Sequence, residues 1–100
     1  MQTTVTARHC EIPDDLRTRA LEVAAKLAKI AHRPQRMDIV FDDDHQRKVV
    51  ELRVSLPRNQ TLIGSSESTD FSTSLDRAAE KLRSQLVKDA ERANRRQPAT

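Results

Sequence analysis

Met37-Asp38-Ile39-Val40-Phe41-Asp42-Asp43-Asp44-His45-Gln46-Arg47-Lys48-Val49-Val50-Glu51-Leu52-Arg53-Val54-Ser55-Leu56 is the stretch that decides the fold. Met37, Ile39 and Phe41 alternate with Asp38, Val40 and Asp42, and Val50, Leu52, Val54 and Leu56 alternate with Glu51, Arg53 and Ser55. A period of two is that of a strand with one buried face. The stretch therefore predicts two strands, with Asp43 to Arg47 as a polar hairpin loop between them. Downstream, Pro57-Arg58-Asn59 carries turn chemistry and leads into a fourth strand around Gln60 to Glu67. Its inward positions would be Leu62, Gly64 and Ser66, small enough to let a helix approach the sheet closely.

Helical spacing flanks this meander on both sides. From Pro13 to about Ala31, Leu16, Ala20, Val23, Leu27 and Ile30 recur at intervals of three and four, and Pro13-Asp14-Asp15 suits a helix start. Arg33-Pro34 ends that helix, because proline has no N–H to donate and disfavours helical geometry in the residue before it. Before it, Thr3 to Arg8 alternates as a first strand, with Val5 and Ala7 on one side. After the meander, Leu75, Ala79, Leu82, Leu86 and Ala90 keep helical spacing for about five turns, with Asp70 or Ser72 as the cap. The expected order is β-α-β-β-β-α, an α+β two-layer sandwich of a four-stranded sheet with two helices on one face. Residues 1–93 form the expected single domain, and 94–100 an expected disordered tail.

Composition narrows the function. Charged residues are 33% of the chain, and no apolar run approaches the roughly 20 residues of a membrane span. The N-terminus MQTTVTARHC lacks the features of a secretory signal, and Cys10 is the single cysteine, so a cytoplasmic protein without an intrachain disulfide is expected. The net charge of +3 is modest but unevenly placed. Residues 8–36 and 71–100 each carry seven basic and four acidic side chains, whereas 37–70 carry four and seven. A polyanion would be drawn to the two helical segments.

Within those segments the cations are aligned. On helix 1, Arg19, Lys26, Lys29 and Arg33 fall in a sector of roughly 80°, away from the apolar stripe. On helix 2, Arg77, Lys81, Lys88, Arg92 and Arg95 fall within roughly 60° of each other, opposite Leu75, Leu82 and Leu86. With the helices side by side, the two stripes can form one basic surface for phosphates. Solvent-facing helical positions are commonly charged, and Glu22, Glu80 and Glu91 offer local pairing. The residues alone leave three readings open: an RNA-binding surface, a general double-stranded-RNA binder, or a protein-interaction or dimerising module. Phe41 and Phe71 are the only aromatics, which disfavours base stacking and favours backbone and shape recognition.

Other chemistry finds little support. Asp42-Asp43-Asp44-His45 lacks the glycine and distal glutamate of a calcium loop and reads as a solvated hairpin tip. His9 and Cys10, as strand neighbours, would point to opposite faces rather than form a nucleophile pair. The single glycine, Gly64, excludes a glycine-rich phosphate loop. No catalytic constellation can be placed, so no enzymatic activity, cofactor, metal or small-molecule substrate is expected.

One run is more specific. Asp70-Phe71-Ser72-Thr73-Ser74-Leu75-Asp76, followed by Lys81-Leu82 and Gln85-Leu86-Val87-Lys88, resembles the bacterial ribosome hibernation-promoting factor family, which includes the ribosome-associated inhibitor. Ile12, Leu16-Arg17 and Ala25-Lys26-Leu27 match that family's first helix at the same spacing. The resemblance implies a layout similar to double-stranded-RNA-binding domains. It also implies a ribosome hibernation and translation-inhibition factor that is monomeric off the ribosome. Such a factor occupies the small ribosomal subunit, blocks its tRNA and mRNA sites, and holds ribosomes inactive in stationary phase or stress. By position it implies Arg17, Lys26, Lys81 and Lys88 as ribosomal RNA contacts, to which helical geometry adds Arg19, Lys29, Arg77, Arg92 and Arg95. Ser72 stands where the family usually has tyrosine, and Asp89-Ala90-Glu91-Arg92 replaces a dense lysine run. Because the sequence ends at Thr100, the short form, without the dimerisation domain of long members, is expected.

Overall fold

The computed structural model describes the backbone of residues 1–96 and the side chains through Arg92. Its elements are β1 (Gln2–Arg8), α1 (Asp14–Ile30), β2 (Arg36–Asp44), β3 (Arg47–Leu56), β4 (Gln60–Ser68) and α2 (Phe71–Arg96). The four strands form one sheet in the order β1-β2-β3-β4. β1 pairs parallel to β2 across the α1 crossover, and β2-β3-β4 is an antiparallel meander. This is the expected β-α-β-β-β-α sandwich.

The register explains the alternation in the deciding stretch. Met37, Ile39 and Phe41 lie opposite Val54, Leu52 and Val50, and all six are fully buried beneath the helices. The second helix seals this face with Leu75, Ala78, Leu82 and Leu86, the first with Ala20, Ala24 and Leu27. Burial of this apolar surface is the main stabilising term of the fold.

Two local features depart from expectation. The hairpin between β2 and β3 is shorter than the predicted five-residue loop, since Asp44 pairs with Arg47 and only His45 and Gln46 turn. Both turn residues have positive φ, 50° and 70°, the backbone hand that matches the twist of a tight two-residue hairpin. At the other end, α2 continues through Arg96, past the boundary expected at Ala93. Helical hydrogen bonding does not require an apolar stripe to continue it over three residues. The rest of the expected tail, 97–100, lies outside the described residues.

Gly64 fixes the spacing between layers. A Cβ at this position would lie 2.5 Å from the Ala78 carbonyl oxygen and 2.8 Å from the Leu82 nitrogen. Only a residue without a side chain admits α2 this close to β4. The start of α2 is secured separately by Asp70, the cap, whose carboxylate accepts from the Thr73 N–H at 2.7 Å and from the Thr73 hydroxyl at 2.9 Å. One turn in, buried Ser74 donates to the Lys48 carbonyl at 2.5 Å and shares a 2.7 Å contact with the Ser68 hydroxyl. Phe71 meets Phe41 edge to face at 5.4 Å between ring centroids.

Candidate nucleic-acid interface

Both helices lie on one sheet face, so their outer surfaces form a single layer facing away from the strands. Arg17, Arg19, Lys26 and Lys29 on α1 and Arg77, Lys81, Lys88 and Arg92 on α2 are all exposed. Arg95 also belongs to α2, but its side chain lies outside the described set.

Tertiary contacts divide these cations into two kinds. Arg17 donates to the Val5 carbonyl on β1 at 3.4 Å, and Lys81 donates to the Ser65 carbonyl on β4 at 2.9 Å. Each therefore reaches down over an outer strand of the sheet, and Gln85 does the same to the Ile63 carbonyl at 2.7 Å. Such contacts cover sheet edges that would otherwise invite strand pairing. Arg19 reaches across to α2, donating to the Ser72 hydroxyl at 2.6 Å and pairing with the Asp76 carboxylate. By contrast Lys26, Lys29, Arg77, Lys88 and Arg92 make no ion pair or side-chain hydrogen bond among the described residues.

The stripes do not merge into one uninterrupted basic surface. Arg19 and Lys26 turn toward α2, while Lys81 carries the α2 stripe toward β4. Between them runs a groove of about 430 Å³ with Val23, Leu27, Ile30 and Ala79 in its walls and Lys26, Arg83, Asp76 and Glu80 at its rim. Two basic bands therefore flank a strip of mixed charge. Arg83 was not among the expected contacts because its helical angle lies near the apolar stripe, outside the basic sector. Its place opposite Lys26 follows from how the helices pack.

The open sheet face treats its charges differently. Arg36 pairs with Asp38 at 2.8 Å, Arg47 with Glu67 at 2.9 Å and Arg53 with Glu51 at 3.4 Å. Thr4 adds a 2.5 Å hydrogen bond to Asp38. Burial alone would raise the Asp38 pKa, but the hydrogen bonds from Thr4 and Arg36 outweigh it and hold the carboxyl below its usual value.

Comparison with known proteins points the same way as the fold. The profile of the Sigma 54 modulation protein / S30EA ribosomal protein family matches residues 3–94. The chain belongs to that family. It is the ribosome hibernation-promoting factor family that the α2 motif resembles. A solved structure of a ribosomal subunit interface protein from Coxiella burnetii is similar to this S30EA-family chain, with 26% identity and a TM-score of 0.78 over 91% of this chain and 99% of that one. The N-terminal domain of Protein Y from Thermus thermophilus shares the fold at 22% identity, with a TM-score of 0.74 over 86% of this chain and 94% of that one. No curated protein matches.

Beyond the helix layer, this S30EA-family chain shows little reactive chemistry among the described residues. The Cys10 sulfur lies 3.8 Å from the Phe41 carbonyl, and its pKa is raised by burial and by the nearby Asp43 and Asp42 carboxylates. A raised pKa leaves less nucleophilic thiolate. Neighbouring His9 turns instead to Asp42 at 3.0 Å. No cluster of three metal-binding side chains occurs among the described residues, and no described helix is long and apolar enough to cross a membrane.

Proposed function

We propose that this protein is a cytoplasmic, non-enzymatic ribosome hibernation factor. In this reading it binds the small ribosomal subunit through its helix layer and blocks the tRNA and mRNA sites. Family membership supports a ribosomal partner, and the Coxiella burnetii relative, a ribosomal subunit interface protein by description, supports a position at a subunit surface. The single observation that carries the reading is the contrast in pairing. Arg36, Arg47 and Arg53 on the sheet face are paired with carboxylates, whereas Lys26, Lys29, Arg77, Lys88 and Arg92 on the helix layer form no ion pair or side-chain hydrogen bond among the described residues. Unmatched cations gain most from phosphate, because no internal ion pair must be broken first.

In this mechanism Lys26 and Lys29 on α1 and Arg77, Lys88 and Arg92 on α2 are the primary phosphate contacts, and Arg95 continues the α2 line. Arg17 and Lys81 contribute from the margins, where their carbonyl contacts hold them in place. With two aromatics in the chain, one buried and one half-buried, recognition proceeds through backbone and shape rather than base stacking.

Co-sedimentation of the purified protein with small subunits, large subunits, empty ribosomes and duplex RNA, across a salt series, tests this. Salt-sensitive pelleting with small subunits and whole ribosomes, but not with large subunits or duplex, is expected. Equal binding to free duplex would identify a general double-stranded-RNA binder. Salt-insensitive or absent binding would point to a protein-interaction module.

A further inference from the structure

We propose that Arg19 is a positioning residue, clasping α1 to α2 through Ser72 and Asp76 and so setting the distance between the two basic bands. The inference deepens the proposed ribosome-binding role and rests on it. Among the described residues, the Arg19 contacts are the only side-chain hydrogen bonds that join the two helices. Elsewhere the helices face each other across the groove, whose walls are the apolar Val23, Leu27, Ile30 and Ala79 and whose charged rim makes no other ion pair between the helices among the described residues. Apolar contacts are non-directional and tolerate sliding, whereas a guanidinium fork held by two acceptors does not.

Both terminal nitrogens of the guanidinium are engaged. One terminal nitrogen meets the Ser72 hydroxyl and the other the Asp76 carboxylate, which stand one helical turn apart on α2. Arg19 alone among the exposed helix-layer cations has a carboxylate partner among the described residues. A phosphate approaching Arg19 competes with Asp76 for the guanidinium, while Lys29 has no carboxylate partner among the described residues. Arg19 thus contributes to binding chiefly by holding Lys26 and Lys29 at a fixed separation from Arg77 and Lys88. An exposed pair of this kind adds little to global stability, so its effect should appear in interhelical geometry.

The test compares R19Q, R19K, K29Q and the exchange R19D/D76R. R19K keeps the charge but lacks the fork, and the exchange restores the pair with the cation on the other helix. For small-subunit binding, K29Q should lower the slope of log K against log salt by about one. R19Q and R19K should both lose affinity several-fold with the slope unchanged, and R19D/D76R, which regains the ion pair but not the Ser72 bond, should recover part of that loss. Binding by R19K at wild-type affinity, or an R19Q slope change equal to that of K29Q, would overturn the positioning role and make Arg19 a direct phosphate contact.

A second measurement stands apart from binding. Spin labels at exposed Thr18→Cys and Ser84→Cys, in a Cys10→Ser background, report the interhelical distance of the free protein. The distribution should broaden in R19Q and R19K and narrow again in the exchange variant. An unchanged distribution in R19Q would refute the clasp. If wild-type protein failed to bind small subunits, the proposed function would fall while this distance measurement still decided the clasp.

Discussion

The helix layer and the open sheet face are both rich in charge, yet they dispose of it in opposite ways. The two helices carry eleven basic and seven acidic residues, the four strands five and six. On the strands, cross-strand and same-strand neighbours bring Arg36, Arg47 and Arg53 to carboxylates. On the helices, Lys26, Lys29, Arg77, Lys88 and Arg92 have no such partner among the described residues. The difference teaches that net charge is a poor guide to a polyanion-binding surface and that unsatisfied charge is a better one. Exposed ion pairs contribute only about 0–1 kcal/mol each to stability, so their main consequence on the sheet face is to neutralise it.

The comparison depends first on the seam that joins the two layers. Leu82→Ala, at a fully buried position, should cost about 2–5 kcal/mol in urea denaturation. Gly64→Ala should cost about 3 kcal/mol, the upper end of overpacking, because the added methyl meets backbone atoms of α2 that cannot move independently. Either variant should lose ribosome binding only in proportion to its loss of folded protein.

Charge reversal then separates the faces. Lys88→Glu should leave the denaturation midpoint within about 0.5 kcal/mol of wild type while reducing the salt slope of small-subunit binding by about one. Lys81→Glu should weaken binding similarly but also release its hold on the Ser65 carbonyl, so its midpoint should fall further than that of Lys88→Glu. On the sheet face, Arg47→Gln and Arg53→Gln should change stability by about 0–1 kcal/mol and leave the salt slope unaltered. A slope change for the sheet variants as large as that for Lys88→Glu would erase the distinction between the faces.

The smallest effect concerns acid stability. Asp38 has a lowered pKa in the folded state, so between the folded and unfolded values the unfolded chain binds more protons and stability rises with pH. The contribution is complete above the ordinary aspartate value of 3.8 and is lost as pH falls through the lower folded value. Thr4→Val removes one of the hydrogen bonds responsible, and should flatten the acid limb of a stability profile below about pH 4 without altering binding near neutrality.

Much of the architecture was legible in the residues because its determinants are local. Alternation from Met37 to Leu56 announces two strands half-buried on one face, three- and four-residue spacing announces the helices, and Arg33-Pro34 marks a boundary. The β2-β3 turn was less legible, since whether Asp44 and Arg47 join the ladder depends on strand pairing. The exposed basic residues could be named from helical angles, but their different duties could not. Arg19 meets partners 53 and 57 positions away, Lys81 reaches a carbonyl 16 positions away and Arg17 one 12 positions away. The sequence by itself determined which side chains face solvent, because a 3.6-residue period divides each helix into an apolar and a polar side. Only the tertiary structure decided which of those solvent-facing cations remain free for a partner, because that depends on carboxylates and carbonyls brought near by packing across the sheet and between the helices.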